Sequence, residues 1–208
     1  RRASFFAAPT MVRRLVDAAR QRPQPAQGLE TVVYGGGPMY LADIEAALQV
    51  MGPHFAQIYG QGECPMTISV LPRDTINHSA HPRWREHLRS VGTAQSMVEL
   101  CIRDGEGRAV AAGVSGEICV RGDVVMAGYW NDSQATAQAI RDGWLFTGDV
   151  GCLDEQGYLY LLDRSKDLVI SGGTNIYPRE VEEVLLTHVA VVEVSVIGRP
   201  DAEWGEVV

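Results

Sequence analysis

The sequence lacks any run of about 18 apolar residues and any charged-then-apolar segment at its N-terminus, so it predicts neither a membrane span nor an export signal. It is also poor in positive charge, because 18 Lys and Arg face 26 Asp and Glu, for a formal net charge of -8. A nucleic-acid surface needs clustered cations, so this balance argues against a nucleic-acid partner. We therefore expect a cytoplasmic protein, and a small anionic ligand would have to be held locally.

Cysteine is scarce, and its spacing excludes the usual paired motifs. The four cysteines lie far apart and form no C-x-x-C pair, which predicts buried free thiols in a reducing compartment; they are Cys64, Cys101, Cys119 and Cys152. What is present is a globular composition, with 46% hydrophobic and 21% charged residues, which predicts one or two ordered domains. The chain begins with Arg1 rather than Met and ends at Val208 inside a strand-like stretch, so we expect truncation at both ends.

Helical and strand patterns alternate in the N-terminal part of the chain. Apolar residues recur at helical spacing over 11–19, behind Thr10 as a plausible N-cap, and again over 41–51. Short apolar runs at 31–34 and 55–59 each lead into glycine and predict buried strands. This alternation favours an α/β fold with a parallel sheet layer.

The pattern changes near residue 91, where short strands are broken by glycine-containing turns and predict an antiparallel region. Its clearest hairpin joins the segment ending at Leu153 to residues 158–162. Residues 163–177 are rich in turn-forming and charged residues and predict a loop, followed by a helix that starts at Pro178. Alternating valines predict a strand at residues 191–197.

Two glycine segments follow predicted strands and suit a bound ligand. Glycines at 35–37 allow the backbone to approach a ligand closely, although a tight strand-to-helix turn explains them as well. The second segment adds the aromatic ring of Tyr59, which could stack on a base, and the carboxylate of Glu63, which could bind Mg²⁺. A solvated loop acid is the alternative interpretation of Glu63.

Two charged residues, Asp149 and Arg164, could contact a sugar or a phosphate. Asp149 follows an apolar stretch at a turn glycine, where a carboxylate can accept hydrogen bonds from both ribose hydroxyls. A local turn residue is the alternative. Arg164 lies in a dense charge cluster that would be a solvated linker in most proteins, but its guanidinium also suits a ribose or a phosphate.

Taken in order, these motifs resemble the adenylate-forming (AMP-binding) superfamily, and specifically acyl-CoA synthetases such as fatty-acid–CoA ligases. The resemblance covers essentially the whole chain, which looks like an internal fragment. Its last motif is more similar to CoA ligases than to peptide-synthetase adenylation domains. The matching segments are Gly35-Gly36-Gly37-Pro38, Tyr59 to Glu63, Gly116-Glu117-Ile118, Arg121-Gly122, Gly128-Tyr129-Trp130, Thr147-Gly148-Asp149, Asp163-Arg164-x-Lys166-Asp167 and Gly172-Gly173-x-Asn175-Ile176-Tyr177-Pro178-x-Glu180-Val181-Glu182.

The resemblance implies a partial adenylate-forming fold, with a parallel α/β sheet layer, an antiparallel β subdomain and the start of a small α+β lid domain. The implied domains are part of the large N-terminal α/β subdomain at residues 1–90, a β-rich subdomain at 91–162, a hinge at 163–167 and the beginning of the C-terminal lid domain at 168–208.

The implied reaction is ATP-dependent ligation of a carboxylic acid to coenzyme A, through an acyl-adenylate and with Mg²⁺. By similarity, each matching residue receives a role. Gly36, Gly37 and Pro38 line the adenine and acyl pocket, Tyr59 stacks on adenine beside Gly60 and Gln61, Glu63 binds Mg²⁺, Asp149 holds the ribose diol, Arg164 contacts ribose or phosphate, Lys166 is the hinge, and Gly172 and Gly173 line the path of coenzyme A.

Several features depart from this family or lie outside the chain. Gly62 stands where the family has a hydroxyl residue, which removes a side-chain contact to the α-phosphate. The family's upstream phosphate loop and its catalytic C-terminal lysine are absent from residues 1–208, so we expect these residues alone to be nearly inactive.

The substrate is constrained only by apolar residues near the motifs. The apolar run Phe5-Phe6-Ala7-Ala8-Pro9, with Met39 and Met66, favours a medium- or long-chain fatty acid over acetate. The alternatives are an aryl acid, an adenylation domain that serves a carrier protein, and a non-catalytic nucleotide-binding remnant. Nothing in the sequence indicates an oligomeric state.

Overall fold

The computed structural model describes residues 2–21, 28–164 and 167–208. Its N-terminal part contains a five-stranded sheet with spatial order β1-β2-β3-β4-β5. The strands are β1 (Ala3–Ala7), β2 (Leu29–Tyr34), β3 (Phe55–Gln61), β4 (Cys64–Leu71) and β5 (Thr93–Ala94). The predicted parallel arrangement is confirmed for β1, β2 and β3. Strands β4 and β5 instead pair in antiparallel fashion, because the two residues between β3 and β4 are too few for a parallel crossover.

Four helices accompany this sheet: α1 (Pro9–Gln21), α2 (Leu41–Met51), α3 (Arg73–Asn77) and α4 (Trp84–Arg89). The predicted helices at 11–19 and 41–51 are confirmed. The prediction that Thr10 is an N-cap is wrong, since α1 already begins at Pro9, and the carbonyl of Ala8 accepts the first helical bonds from Met11 and Val12. Proline suits this first turn because its φ is fixed and its missing N–H needs no partner.

The apolar faces of these elements form one core cluster. Val12 of α1 and Ile44 of α2 are fully buried together with Tyr34 and Phe55 of the sheet. The rings of Tyr34 and Phe55 meet edge to face, with centroids 6.3 Å apart, an arrangement that aromatic pairs favour. The helices therefore cover the sheet and fix the strand ends from which the ligand-binding loops start.

The second sheet is antiparallel throughout, as predicted, with spatial order β10-β9-β7-β6 and β8 paired to β9. Its elements are β6 (Glu99–Arg103), β7 (Gly116–Arg121), α5 (Ser133–Ala139), β8 (Ile140–Arg141), β9 (Trp144–Leu153) and β10 (Leu159–Arg164). The predicted hairpin is confirmed. Its turn is held by Asp154, whose Oδ1 accepts hydrogen bonds from the N–H groups of Gln156 and Tyr158, each 2.9 Å long.

The C-terminal part contains a four-stranded sheet with spatial order β12-β11-β14-β13. Its elements are β11 (Val169–Ser171), β12 (Thr174–Ile176), α6 (Pro178–Leu185), β13 (Arg199–Asp201) and β14 (Gly205–Val207). The predicted helix start at Pro178 is confirmed. The predicted loop at 163–177 is wrong, because β10 runs on to Arg164 and β11 and β12 form a hairpin whose turn is Gly172-Gly173.

The predicted strand at residues 191–197 is also wrong. This segment has no strand partner among the described residues, and Val192 and Ile197 are largely exposed. Alternation of apolar and polar residues produces a strand only where a neighbouring strand completes the hydrogen-bond ladder. The extended structure begins later, at Arg199 in β13.

The N-terminal and β-rich parts are joined at one end by backbone and side-chain contacts. Val91 donates to the carbonyl of Leu159, and Leu159 donates to the carbonyl of Gly92, both at 2.8 Å. The guanidinium of Arg83 also reaches Asp154 at 2.8 Å. Within the described residues, no helix is both long enough and apolar enough to cross a membrane.

Candidate functional site

A cavity of about 780 Å³ lies where the three parts of the chain meet. Nine residues predicted from the sequence to bind nucleotide or metal line it: Gly36, Gly37, Pro38, Tyr59, Gly60, Gln61, Glu63, Asp149 and Arg164. They are brought together because β2 and β3 are parallel neighbours whose carboxyl ends lie at one edge of the sheet, where ligands of α/β proteins bind. Strands β9 and β10 reach the same edge from the second sheet.

Three glycines in or beside this cavity are each favoured for a different structural reason. A Cβ on Gly35 would overlap the carbonyl oxygen of Ile58, so the loop after β2 lies too close to β3 for any side chain. Gly36 has φ +78, a left-handed conformation that favours glycine. A Cβ on Gly60 would overlap the backbone of Met66 in the tight connection to β4. The close packing at Gly35 and the positive φ at Gly36 agree with the turn interpretation of that segment, whereas Gly60 lies within β3. Gly36 and Gly60 also line the cavity.

Asp149 is the most densely bonded polar group of the cavity. Its Oδ2 accepts hydrogen bonds from the phenol of Tyr59 at 2.6 Å and from the amide of Gln61 at 2.7 Å. Its Oδ1 pairs with Nε of Arg164 at 3.2 Å. Asp149 is only 8% exposed, so a buried carboxylate is satisfied by a cation and two neutral donors.

Tyr59 remains a hydrogen-bond donor at neutral pH. Burial raises the pKa of its phenol well above the ordinary value, and the neighbouring charge of Asp149 raises it further. An ionised phenol beside a carboxylate would place two negative charges together in a poorly hydrated site. The proton on Tyr59 therefore stays in the bond to Asp149.

Asp149 lies within β9 rather than in a turn, so its interpretation as a local turn residue is wrong. The part of β9 that carries it is held by two residues whose role the sequence did not reveal. Thr147 donates from Oγ1 to the carbonyl of Ile118 at 2.8 Å and accepts from the N–H of Asp149 at 3.1 Å. Glu117 accepts from the N–H of Gly148 at 2.9 Å. Both lie within motifs noted in the sequence, but only the pairing of β7 with β9 shows that they meet.

Glu63 lies at another side of the cavity and is held by the loop before α5. The phenol of Tyr129 donates to its Oε1 at 2.6 Å, and the N–H of Met126 donates to its carbonyl oxygen at 2.8 Å. The bond to Glu63 raises the pKa of Tyr129. The described residues contain no cluster of three or more His, Cys, Asp or Glu that could hold a metal ion by themselves. Mg²⁺ bound with a nucleotide needs only one or two carboxylates besides phosphate oxygens and water, so Glu63 fits that kind of site.

Arg179, in the first turn of α6, also lines the cavity and was not predicted from the sequence. Its backbone N–H donates to Asp163 and its guanidinium donates to the carbonyl of Leu161, both at 3.3 Å. Burial lowers the pKa of this guanidinium from its very high ordinary value. The residue still carries its charge, and it faces the cavity from the C-terminal part.

Two predicted residues do not line the cavity, and a third cannot be placed relative to it. Lys166, the predicted hinge, lies outside the described residues. Gly172 and Gly173, predicted to lie along the path of coenzyme A, form the turn between β11 and β12, where the ring of Trp204 packs against Gly172.

The apolar residues from which a fatty-acid site was inferred also lie away from this cavity. Met39 is buried in the core of the N-terminal part. Phe5 and Phe6 are partly exposed on the edge strand β1, and Met66 is more than half exposed. None of the four is among the lining residues, so they do not indicate the nature of an acyl group here.

Known proteins resemble nearly the whole chain in sequence and in fold. The medium/long-chain-fatty-acid–CoA ligase of Mycobacterium tuberculosis is 39% identical over 200 residues, which is 96% of this chain and 34% of that protein. The amide bond synthetase of Marinactinospora thermotolerans has a TM-score of 0.89 and 39% identity, over 98% of this chain and 40% of its own. The o-succinylbenzoate CoA synthetase of Bacillus subtilis, in complex with its acyl-adenylate intermediate, has a TM-score of 0.84 and 36% identity, over 99% and 40% of the two chains.

The chain spans about a third of the length of the curated relative named above. A family profile, that of the AMP-binding enzyme, matches residues 2–130. This match covers more than half of the chain and includes the glycine loop, Tyr59 and Glu63. The chain belongs to the AMP-binding enzyme family.

Proposed function

We propose that this chain forms the nucleotide-binding part of an ATP-dependent acid–CoA ligase. The observation that carries the proposal is the arrangement around Asp149, whose carboxylate is held by Tyr59, Gln61 and Arg164 at the edge of a cavity. Ribose recognition calls for a fixed carboxylate that can accept two hydroxyl hydrogen bonds. Glu63, on the same cavity, offers a hard oxygen ligand for the cation that accompanies ATP.

Binding of a ribose at Asp149 requires Arg164 to move. An ionised carboxylate has about four acceptor positions, and three of these are taken by Tyr59, Gln61 and Arg164. The bonds to Oδ2 come from residues of β3, whereas Arg164 is 57% exposed and bonds to Oδ1 alone. A diol would therefore displace Arg164, whose guanidinium becomes available for ribose or phosphate oxygens.

Glu63 is the residue that would hold Mg²⁺ beside the phosphates. When bound there, the cation neutralises phosphate charge and polarises the phosphorus–oxygen bonds. The protein's contribution is to keep the Glu63 carboxylate in place through Tyr129 and Met126. Tyr59 and the glycine loop at Gly36-Gly37-Pro38 supply the walls against which an adenine would stack.

The proposed reaction has two steps. A carboxylate oxygen of the acid attacks the α-phosphorus of ATP, and pyrophosphate leaves with the electrons of the broken bond. The thiol of coenzyme A then attacks the acyl carbon, and AMP leaves. Lys166 as the hinge and Gly172-Gly173 along the path of coenzyme A belong to this second step, for which a rotation of the C-terminal part is proposed.

The proposed acid is a medium- or long-chain fatty acid, and an aryl acid is the second candidate. The fatty acid is supported by the name of the Mycobacterium tuberculosis relative. The aryl acid is supported by the succinylbenzoate enzyme of Bacillus subtilis, at nearly the same similarity. The adenylation half is common to both candidates and rests on the cavity rather than on these names.

The proposal is tested by binding of AMP and ATP to the purified protein, measured by calorimetry. We expect both nucleotides to bind and Asp149→Ala to weaken them by about 10- to 100-fold, the range that hydrogen bonds to a charged group supply. Asp17→Ala is the matched control, because it removes an exposed carboxylate on α1 that pairs with Arg20, away from the residues that line the cavity. Absence of nucleotide binding in the unmodified protein, or equal effects of the two substitutions, would contradict the proposal.

A further inference from the structure

Tyr129 and Glu63 form a contact that neither the sequence motifs nor the family match assigns. Tyr129 lies 66 residues after Glu63, and its phenol donates a 2.6 Å hydrogen bond to Oε1. The same loop contacts Glu63 a second time, through the N–H of Met126 to the carbonyl oxygen. The residue proposed to hold the cation is thus held through both its backbone and its side chain.

The loop that carries Tyr129 is itself fixed by α5. The N–H of Tyr129 donates to Oγ1 of Thr136 at 2.9 Å, and this hydroxyl donates to the carbonyl of Asp132 at 2.7 Å. Asp132 caps α5 by accepting from the N–H of Ala135 at 2.8 Å. A Cβ on Gly128 would press against the side chain of Thr136, so the loop can pack closely only with glycine there. Tyr129 is therefore preorganised, although its side chain is 40% exposed.

The chemistry of the contact is that of a ligand-orienting hydrogen bond. A carboxylate on a flexible side chain samples several rotamers, and a phenol bonded to one oxygen restricts it to those that keep the bond. Oε1 is engaged by the phenol, and within the described part of the chain no other side chain bonds to Oε2. That oxygen remains for a cation brought with ATP into the cavity that Glu63 lines.

We propose that Tyr129 is a positioning residue for Glu63, which fixes one carboxylate oxygen so that the other takes Mg²⁺ bound with ATP. The inference rests on the proposed function, since it requires that Glu63 bind the cation. It assigns Tyr129 no contact with the nucleotide. Loss of the phenol should accordingly affect ATP in the presence of Mg²⁺ and leave AMP binding unchanged.

The experiment measures the gain in ATP affinity that Mg²⁺ produces, by calorimetry with and without the cation, and the affinity for AMP alone. Tyr129→Phe removes the hydroxyl and keeps the ring. We expect it to reduce the gain about tenfold, the lower end of what loss of a residue supporting a metal ligand costs. Trp130→Phe is the matched control, because Trp130 is the next residue, is aromatic and is 98% exposed.

A double-substitution cycle separates positioning from general damage to the fold. Glu63→Gln removes the charge that binds the cation and keeps an oxygen that can accept from Tyr129. If Tyr129 acts through Glu63, adding Tyr129→Phe to Glu63→Gln changes the Mg²⁺-dependent gain no further. Additive effects of the two substitutions would overturn the inference.

The other outcomes distinguish this inference from the proposed function. If Mg²⁺ increases the ATP affinity of Tyr129→Phe as much as that of the unmodified protein, the proposed role of Tyr129 is overturned and the proposed nucleotide site is unaffected. A matching loss of AMP affinity in Tyr129→Phe means that the residue only supports the fold, which also overturns the inference. If the unmodified protein binds ATP without any gain from Mg²⁺, the role of Glu63 fails and that of Tyr129 with it. If it binds neither nucleotide, the proposed function itself fails.

Discussion

The phenol of Tyr40 donates a 2.8 Å hydrogen bond to Oε2 of Glu182, which lies 142 residues further along the chain. The other oxygen of Glu182 accepts from the N–H of Val196 at 3.0 Å. Tyr40 lies two residues after Pro38 of the glycine loop, and Glu182 lies on α6, so this bond joins the segment after the loop to the C-terminal part. Burial and the bond to Glu182 raise the pKa of Tyr40 to about 12, and the phenol therefore remains a donor at neutral pH.

Tyr40→Phe should loosen the attachment of α6 to the N-terminal part. The substitution removes one partly buried hydrogen bond, which contributes about 0.5–1.5 kcal/mol. This loss corresponds to roughly a 2- to 10-fold increase in the fraction of molecules in which α6 is locally unfolded. Hydrogen exchange of the α6 amides measures that increase. Tyr160→Phe serves as the control, because its phenol bonds to Asp154 within the second sheet. Unchanged exchange in α6 would show that the other contacts of the C-terminal part suffice.

Gly62→Ser should strengthen ATP binding. Gly62 lines the cavity, and a Cβ there would have nothing within 4 Å. The substitution adds the hydroxyl that the resemblance to the family implies at this position. A new hydrogen bond contributes about 0.5–1.5 kcal/mol, which predicts a gain of roughly 2- to 10-fold in ATP affinity. Gly62→Ala adds the Cβ without the hydroxyl and should leave the affinity unchanged. Equal affinities of the Ser and Ala variants in calorimetry would mean that the hydroxyl finds no phosphate oxygen.

The sequence predicted the cavity better than it predicted the segments around it. Nine predicted residues line one cavity. The glycine loop and the segment from Tyr59 to Glu63 lie at the carboxyl ends of the parallel strands β2 and β3, which meet at one edge of the sheet. The bounds of α2 at Leu41–Met51 were also predicted, since its apolar spacing is regular and Gly52 follows it. Local pattern and fold agree at these places.

The incorrect strand and loop predictions concern segments whose structure depends on whether another strand pairs with them. Residues 191–197 alternate like a strand but have no neighbouring strand in the described structure, whereas the glycine-containing segment after Asp167 pairs into the β11–β12 hairpin. The contacts of Glu63 with Tyr129 and of Glu117 with Gly148 join residues 66 and 31 positions apart. Spacing along one sequence carries no signal for such pairs, so only the folded chain reveals them.

Gly92→Ala should destabilise the fold far more than Gly107→Ala. Both glycines have positive φ, +84 and +78, which costs an alanine about 1–2 kcal/mol. A Cβ on Gly107 would have nothing within 4 Å, whereas a Cβ on Gly92 would overlap the carbonyl of Val70. Gly92 also accepts from Leu159 at the junction of the two sheets. Urea unfolding measures the free energy of unfolding of each variant. Similar losses in the two variants would show that β4 can move to accommodate the methyl group of Gly92→Ala.

Acid pH should destabilise the junction between the first two parts of the chain through His87. Its ring stacks on that of Tyr158 with centroids 4.2 Å apart, and the ring centroid of His81 lies 4.7 Å from that of His87. Burial lowers the pKa of His87, and the neighbouring His81 and Arg83 act in the same direction, while a hydrogen bond with Gln156 and the charge of Asp154 oppose them.

The sign of the effect follows from proton binding. His87 in the unfolded chain has the ordinary pKa of about 6.5, so below that pH the unfolded state binds more protons than the folded state. The free energy of unfolding therefore rises with pH in this window and falls as the pH drops through about 6.5 toward the lower folded value. Above the unfolded pKa the contribution is fully present.

His87→Phe keeps a ring for the stack and removes the titration, so we expect the stability of this variant to fall less on the acid side. Thermal unfolding between about pH 5 and pH 8 measures the difference, with His188→Phe as the control, because His188 is exposed. Parallel curves for His87→Phe and the unmodified protein would contradict the role of His87. Since Tyr158 leads into β10, which carries Arg164 and pairs with the strand of Asp149, nucleotide affinity should weaken over the same pH range.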